Sequence, residues 1–149
     1  MELRKYQSSD LKALINIFYE TIRAVNIKDY DFRQIEAWSN QKEKLLAKNK
    51  YFTQLYTVVA IQDNKIIGYG NIDNDGYLDH LFVHKDYQGL GVASAICDML
   101  EYKHKIVTVH ASITAKPFFS KRGYREIKKQ AVSVEGVFLT NYLMKKEKE

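Results

Sequence analysis

Tyr77 to Leu100 reads YLDHLFVHKDYQGLGVASAICDML. Leu78 to Val83 is an apolar, β-branched and aromatic run of strand length. His84 to Tyr87 is a short polar bend. Gln88-Gly89-Leu90-Gly91-Val92-Ala93 follows, and Val92, Ile96, Met99 and Leu100 then recur at helical spacing. Glycines let backbone approach a ligand, and the start of a helix presents unpaired N–H groups to an anion. A strand that delivers a glycine-bearing loop onto a helix start is a phosphate cradle.

Two common cradles do not fit. A Walker loop needs Gly, four residues, then Gly-Lys-Ser/Thr, and no such string exists. A dinucleotide fingerprint starting at Gly89 would need Gly or Ala at position 94, where the chain has Ser94. The pattern Gln/Arg-x-x-Gly-x-Gly/Ala does fit, with Gln88 first, Gly91 at the fixed glycine and Ala93 last.

Working outward, Tyr56–Ile61 and Ile66–Ile72 read as strands joined by a turn at Asp63-Asn64. Asn74-Asp75-Gly76 turns the chain into the Leu78–Val83 strand, completing an antiparallel meander. Ile106–Ala111 reads as a buried strand reached through a helix, so it pairs in parallel. Thr114 is the expected cap of a short helix that ends at Gly123. Glu135-Gly136 marks a hairpin between strands Tyr124–Val134 and Val137–Met144. At the other end, Glu2–Tyr6 reads as a strand. Ser9 or Asp10 then caps a helix whose apolar positions are Leu11, Leu14, Ile15, Phe18, Ile22 and Val25. A second short helix is expected from about Asp31, with Lys42–Ala47 extending or restarting it.

These segments together resemble the GCN5-related N-acetyltransferase (GNAT) superfamily. LDHLFVHKDYQGLGVASAI matches its acetyl-CoA motif, ASITAKPFFSKRGYREI its later Lys-x-Gly-aromatic segment, and VFLTNYLMKK its terminal strand. VNIKDYDFRQIEAW is similar to a bacterial subgroup of uncharacterised acetyltransferases. The resemblance covers nearly the whole chain, residues 1–149, as a single domain. It implies an α/β (α+β) fold with a mixed, mostly antiparallel sheet of about seven strands and helices on both faces. It also implies a V-shaped opening between the two central strands for acetyl-CoA. Leu81, Phe82 and Val83 would take the pantetheine arm as an added strand. Gln88, Gly89, Leu90, Gly91, Val92, Ala93 and Ser94 would hold the pyrophosphate, and Thr114 and Lys121 would lie near the cofactor's two ends.

The implied activity is direct transfer of acetyl to a primary amine, of a small molecule or of a protein. A lysine-like amine, with a pKa near 10.4, is neutral in only about one molecule in two thousand at pH 7. A general base, acting directly or through water, is therefore useful. His80 and Asp79 qualify, and strand alternation predicts opposite faces for them. His84 lies in the bend and is expected to be exposed. A donor for the developing oxyanion is expected from the Phe82 or Val83 amide. Many family members carry a Tyr general acid where this chain has Phe119; a thiolate leaving group, with a pKa of about 8.5, does not strictly require an acid, and a water, Tyr124 or Tyr142 is available to protonate it. Tyr19, Tyr30 and Trp38 are candidates for the acceptor site. The competing reading is an acyl-CoA-binding or sensing domain without activity, favoured by Phe119.

The chain has 149 residues and a formal charge of +5, with 46% hydrophobic and 28% charged residues. Its basic residues are scattered rather than striped, which argues against nucleic acid as a partner. No apolar run approaches a membrane span, so no membrane partner is expected. The single cysteine, Cys97, excludes an internal disulfide and reads as a buried structural residue, suiting a reducing cytoplasm. His80-x-x-x-His84 crosses a strand end, so no metal site is expected. Edge strands near the C-terminus offer a surface for a homodimer.

Overall fold

A computed structural model describes residues 1–149. The strands are β1 (Glu2–Lys5), β2 (Tyr56–Gln62), β3 (Lys65–Ile72), β4 (Tyr77–Val83), β5 (Ile106–Ser112), β6 (Arg125–Val134) and β7 (Val137–Glu147). The helices are α1 (Leu11–Ala24), α2 (Phe32–Ser39), α3 (Lys42–Leu46), α4 (Asn49–Gln54), α5 (Val92–Glu101) and α6 (Lys116–Lys121). One seven-stranded sheet runs β1-β2-β3-β4-β5-β7-β6. Every neighbouring pair is antiparallel except β4–β5, which is parallel. This is the mixed sheet the resemblance implies.

Two apolar clusters sit on its two faces. One packs Val92, Ile96 and Leu100 of α5 against Val58, Ile67, Leu78, Val107, Val109 and Met144. The other packs Leu14, Ile15, Phe18 and Ile22 of α1 against Val59, Tyr69 and Leu139. Each such side chain, fully buried, contributes about 1.5–3 kcal/mol of transfer free energy. Gly70 lets α5 lie close to the sheet: a Cβ there would sit 3.0 Å from Ile96. Glu101 is buried at the end of α5 and anchors it to the far half of the sheet. It accepts from Arg122 Nε at 2.8 Å and from the Tyr124 hydroxyl at 2.6 Å, with Lys146 at 3.4 Å.

The sequence expectations differ from the structure in three places. Asp10 precedes α1, yet its carboxylate makes no cap to that helix. It accepts from Arg4 at 2.8 and 2.9 Å and from the Gln7 N–H at 2.8 Å. Thr114 does not cap α6; the Ser112 hydroxyl accepts from Ala115 N–H at 3.0 Å instead. Helix α4 was not expected at all, because its NKYFTQ sequence has no apolar period over several turns.

Candidate active site

β4 and β5 are paired only at Tyr77↔Thr108 and Leu78↔Val109. Beyond Leu78 they part, and a cleft of about 750 Å³ opens between them. His84 N–H donates to Ile67 O at 2.8 Å, and Tyr69 lies opposite Phe82. Antiparallel pairs exchange backbone hydrogen bonds at every second position, so the Phe82 amide faces β3 and the Leu81 and Val83 amides face the cleft. Of the two amides expected as donors, Val83's faces the cleft and Phe82's does not. The Val83 carbonyl is already engaged, accepting from Gln88 Nε2 at 2.6 Å and from Thr21 Oγ1 at 3.0 Å. Gln88 therefore closes the end of β4 with its side chain.

The cradle lies where that strand ends. Gly91 caps α5 in the left-handed conformation, φ 83°, which glycine adopts without steric cost. A Cβ at Gly89 or Gly91 would meet nothing within 4 Å, so open space lies over both. The first helical hydrogen bond runs from Ala95 N–H to Gly91 O at 3.1 Å. The N–H groups of Val92, Ala93 and Ser94 precede it and have no partner within the helix. This arrangement fits a phosphate or pyrophosphate. Gly89, Gly91, Val92, Ala93, Ser94 and Thr114 line the cleft; Leu90 is 67% exposed and does not, nor does the exposed Lys121.

Asp79 and His80 do not alternate as expected. The β3–β4 register shifts between Gly70 and Ile72, a bulge that sets Asp79 and His80 against Asn71. Both residues consequently reach one side chain, Tyr51 of α4. Its hydroxyl donates to Asp79 Oδ2, and its ring lies 5.6 Å from the His80 ring. Asn71, fully buried, supports the bulge from below: it donates to the Tyr51 hydroxyl at 3.3 Å and accepts from His80 N–H at 2.8 Å. His80 is packed among Phe18, Tyr51, Phe52, Tyr69 and Phe82. That enclosure pushes its pKa down, against the opposing pull of Asp79, and keeps the ring neutral. Its Nδ1 lies 2.9 Å from the buried Tyr69 hydroxyl, which has no other partner. The arrangement that satisfies both groups has the hydroxyl donating to Nδ1 and the ring hydrogen on Nε2. In this tautomer His80 donates from Nε2 and has no free lone pair there. Asp79 is the one carboxylate that lines the cleft.

On the α1–α2 side the cleft is walled by Phe18, Tyr30, Trp38 and Leu139. Tyr30 and Trp38 meet edge to face at 5.5 Å. The Tyr30 hydroxyl is fully occupied by the protein, donating to Thr140 O at 2.7 Å and accepting from Ile113 N–H at 2.9 Å, so only its ring faces the cleft. Tyr19 lies outside the cleft, beneath Arg23 and Lys42 at 5.3 and 4.7 Å. Phe119 is buried against Phe118 and Tyr124. Neither Tyr124 nor Tyr142 lines the cleft, so neither stands in for a tyrosine at position 119: Tyr124 is bound to Glu101, and Tyr142 lies under Lys116 at 4.1 Å. His84 is half-buried rather than exposed, its Nδ1 accepting from Asp86 N–H at 3.1 Å. Burial pushes the Cys97 thiol up to about 12, which leaves it inert.

Sequence reading did not find Tyr51 or Asn71. Tyr51 and Asn71 act through a bulge and a short helix that leave no periodic trace, although the aromatic run Tyr51-Phe52 beside a strand was a signal.

The profile of a family described as an acetyltransferase (GNAT) domain matches residues 26–147. An Escherichia coli K12 protein named uncharacterized N-acetyltransferase YafP is 34% identical over 146 residues, covering 97% of this chain and 95% of that one. The crystal structure of a GCN5-related N-acetyltransferase from Rhodopseudomonas palustris superposes with a TM-score of 0.93 at 30% identity, over 98% of this chain and 94% of that one. The PaiA N-acetyltransferase of Thermoplasma acidophilum, solved in complex with coenzyme A, shares the fold at a TM-score of 0.75 and 20% identity, over 99% and 98% of the two chains. With the split β4–β5 seam, the glycine cradle and these matches together, the chain belongs to the GNAT family of acetyltransferases.

Proposed function

We propose that this protein moves the acetyl group of acetyl-CoA directly to a primary amine inside the β4–β5 cleft. The observation that carries this reading is the open β4 edge ending in the Gly89–Gly91 cradle. Acetyl-CoA would supply an acetyl group already activated as a thioester. The α5 start and the two glycines would bind its pyrophosphate, and the Leu81–Val83 edge would align the pantetheine amides. The Val83 N–H, turned into the cleft, would stabilise negative charge on a carbonyl oxygen under attack.

The chain must also accept a proton from the amine. Holding an alkylamine neutral at pH 7 costs about 4–5 kcal/mol. Asp79 is the carboxylate placed to receive that proton, directly or through a water, and the Tyr51 hydroxyl orients it. Neutral His80 keeps positive charge away from the acyl site and presents Nε2–H as a donor.

Release of free coenzyme A thiol from acetyl-CoA, measured across a panel of amines, tests this reading. Amine-dependent release supports it. Tight coenzyme A binding with no amine that accelerates release would replace it with an idle acyl-CoA-binding domain.

A further inference from the structure

Two buried side-chain oxygens in this protein have no hydrogen-bond partner, Thr114 Oγ1 and Asn141 Oδ1. Both residues line the same cleft. A buried polar atom left without a partner is costly, so an orphan in a cleft marks a group kept for a ligand. Asn141 sits in the middle of β7, opposite Ser112 on β5 and Gln130 on β6. A leucine or valine there would fit a half-buried strand better.

Strand alternation fixes the face on which Asn141 lies. Tyr142 and Met144 pack into the cluster under α5, whereas Val137 and Leu139 pack into the cluster under α1 and α2. Asn141 shares the face of Val137 and Leu139. That face is opposite the one carrying α5, whose N-terminus forms the phosphate cradle. The backbone around it is also fixed. The Tyr30 hydroxyl bonds Thr140 O and Ile113 N–H together, binding the β7 segment beside Asn141 to the loop that carries Thr114.

We propose that Asn141 is a specificity residue of the acceptor subsite, its Oδ1 accepting a hydrogen bond from an N–H of the bound acceptor. This inference rests on the acetyltransferase reading above. The acceptor it selects carries an N–H donor on an apolar body that fits against Tyr30, Trp38 and Leu139. The pantetheine amides are the other source of N–H groups in the cleft, and the two are separable.

Asn141→Leu is the test, with phenethylamine, tryptamine, spermidine and a lysine-containing peptide as acceptors and acetyl-CoA as donor. Removing an unpartnered buried oxygen should raise the melting temperature of the free protein by about 2–6 °C. Coenzyme A affinity should not change, while KM for the best acceptor should rise about tenfold or more. Asn141→Asp keeps an acceptor oxygen and should hold that KM within about threefold of the natural chain. Where Asn141→Leu does not fold, Asn141→Ala removes the same oxygen with less bulk and should show the same rise in acceptor KM. A lower melting temperature with unchanged acceptor KM would make Asn141 a structural residue and overturn the proposal. Loss of coenzyme A affinity with unchanged acceptor KM would assign the N–H to pantetheine and overturn it equally. If the natural chain acetylates none of these amines, the acetyltransferase reading fails on its own and this inference falls with it.

Discussion

Tyr51 on α4 donates its hydroxyl to Asp79 on β4, joining the two across 28 residues of sequence. Burial, reinforced by Asp79, pushes the Tyr51 pKa well above its ordinary value, so the phenol stays protonated and serves only as a donor. Asp79→Asn should lower kcat by about 10²–10⁴-fold, the range for loss of a general base. Tyr51→Phe leaves the carboxylate but frees its orientation, and should lower kcat less, by about tenfold. The pH–rate profile separates the roles: the acidic limb disappears in Asp79→Asn and only shifts in Tyr51→Phe. A profile unchanged in both variants would remove Asp79 from the chemistry.

The cradle makes a prediction that concerns binding alone. Gly91 has φ 83° and open space where a Cβ would lie. Gly91→Ala costs only backbone strain, about 1–2 kcal/mol of stability. Gly91→Glu adds bulk and negative charge where a pyrophosphate would sit, so calorimetry should detect no coenzyme A binding while circular dichroism remains that of the folded chain. Retained affinity in Gly91→Glu would place the cofactor elsewhere.

His80 should make stability depend on pH. Its folded pKa lies below the 6.5 of a free histidine, because burial among aromatic rings disfavours the imidazolium. Below that pH the unfolded chain binds a proton that the folded chain resists. The His80 contribution is therefore complete above pH 6.5 and declines as pH falls toward the lower folded value. Urea denaturation between pH 5 and about 7.5 reads the slope, and His80→Gln should flatten it. An equal slope in the two proteins would mean that His80 is freely hydrated.

Glu101 acts in a lower pH range. Burial alone would raise its pKa, but hydrogen bonds from Arg122 and Tyr124 outweigh burial and hold it below 4.5. Its contribution is present above pH 4.5 and is lost as pH falls through the folded value. Glu101→Ala leaves Arg122 without its buried partner and should cost about 3–5 kcal/mol, read by chemical denaturation at pH 7. A cost under about 1 kcal/mol would show that water replaces the carboxylate.

What could be read from sequence followed local periodicity. Alternation and turn residues gave the β2–β3–β4 meander, and the apolar stripe Val92, Ile96, Leu100 gave α5. Glu135-Gly136 gave the β6–β7 hairpin, in which both residues adopt positive φ. The features that arrange the chemistry had no such period. The bulge at Asp79–His80 depends on Asn71 reaching across from β3, and α4 is six residues long, held by Phe52 in the core rather than by its own pattern. The cofactor role of Lys121 comes from resemblance alone; the residue lies on the exposed side of α6, outside the cleft lining. Asn141 looked like one polar residue in a terminal strand; its missing partner is visible only once β5 and β7 are side by side.

The two-rung contact between β4 and β5 has a mechanical consequence. Such a wedge is a weak line in the sheet, and a molecule lodged there would supply the missing rungs. Amide exchange at Leu81, Val83 and the facing stretch of β5 should slow sharply on adding coenzyme A, while β1, at the far edge, keeps its rate. The guest would complete the β-structure that the chain leaves unfinished.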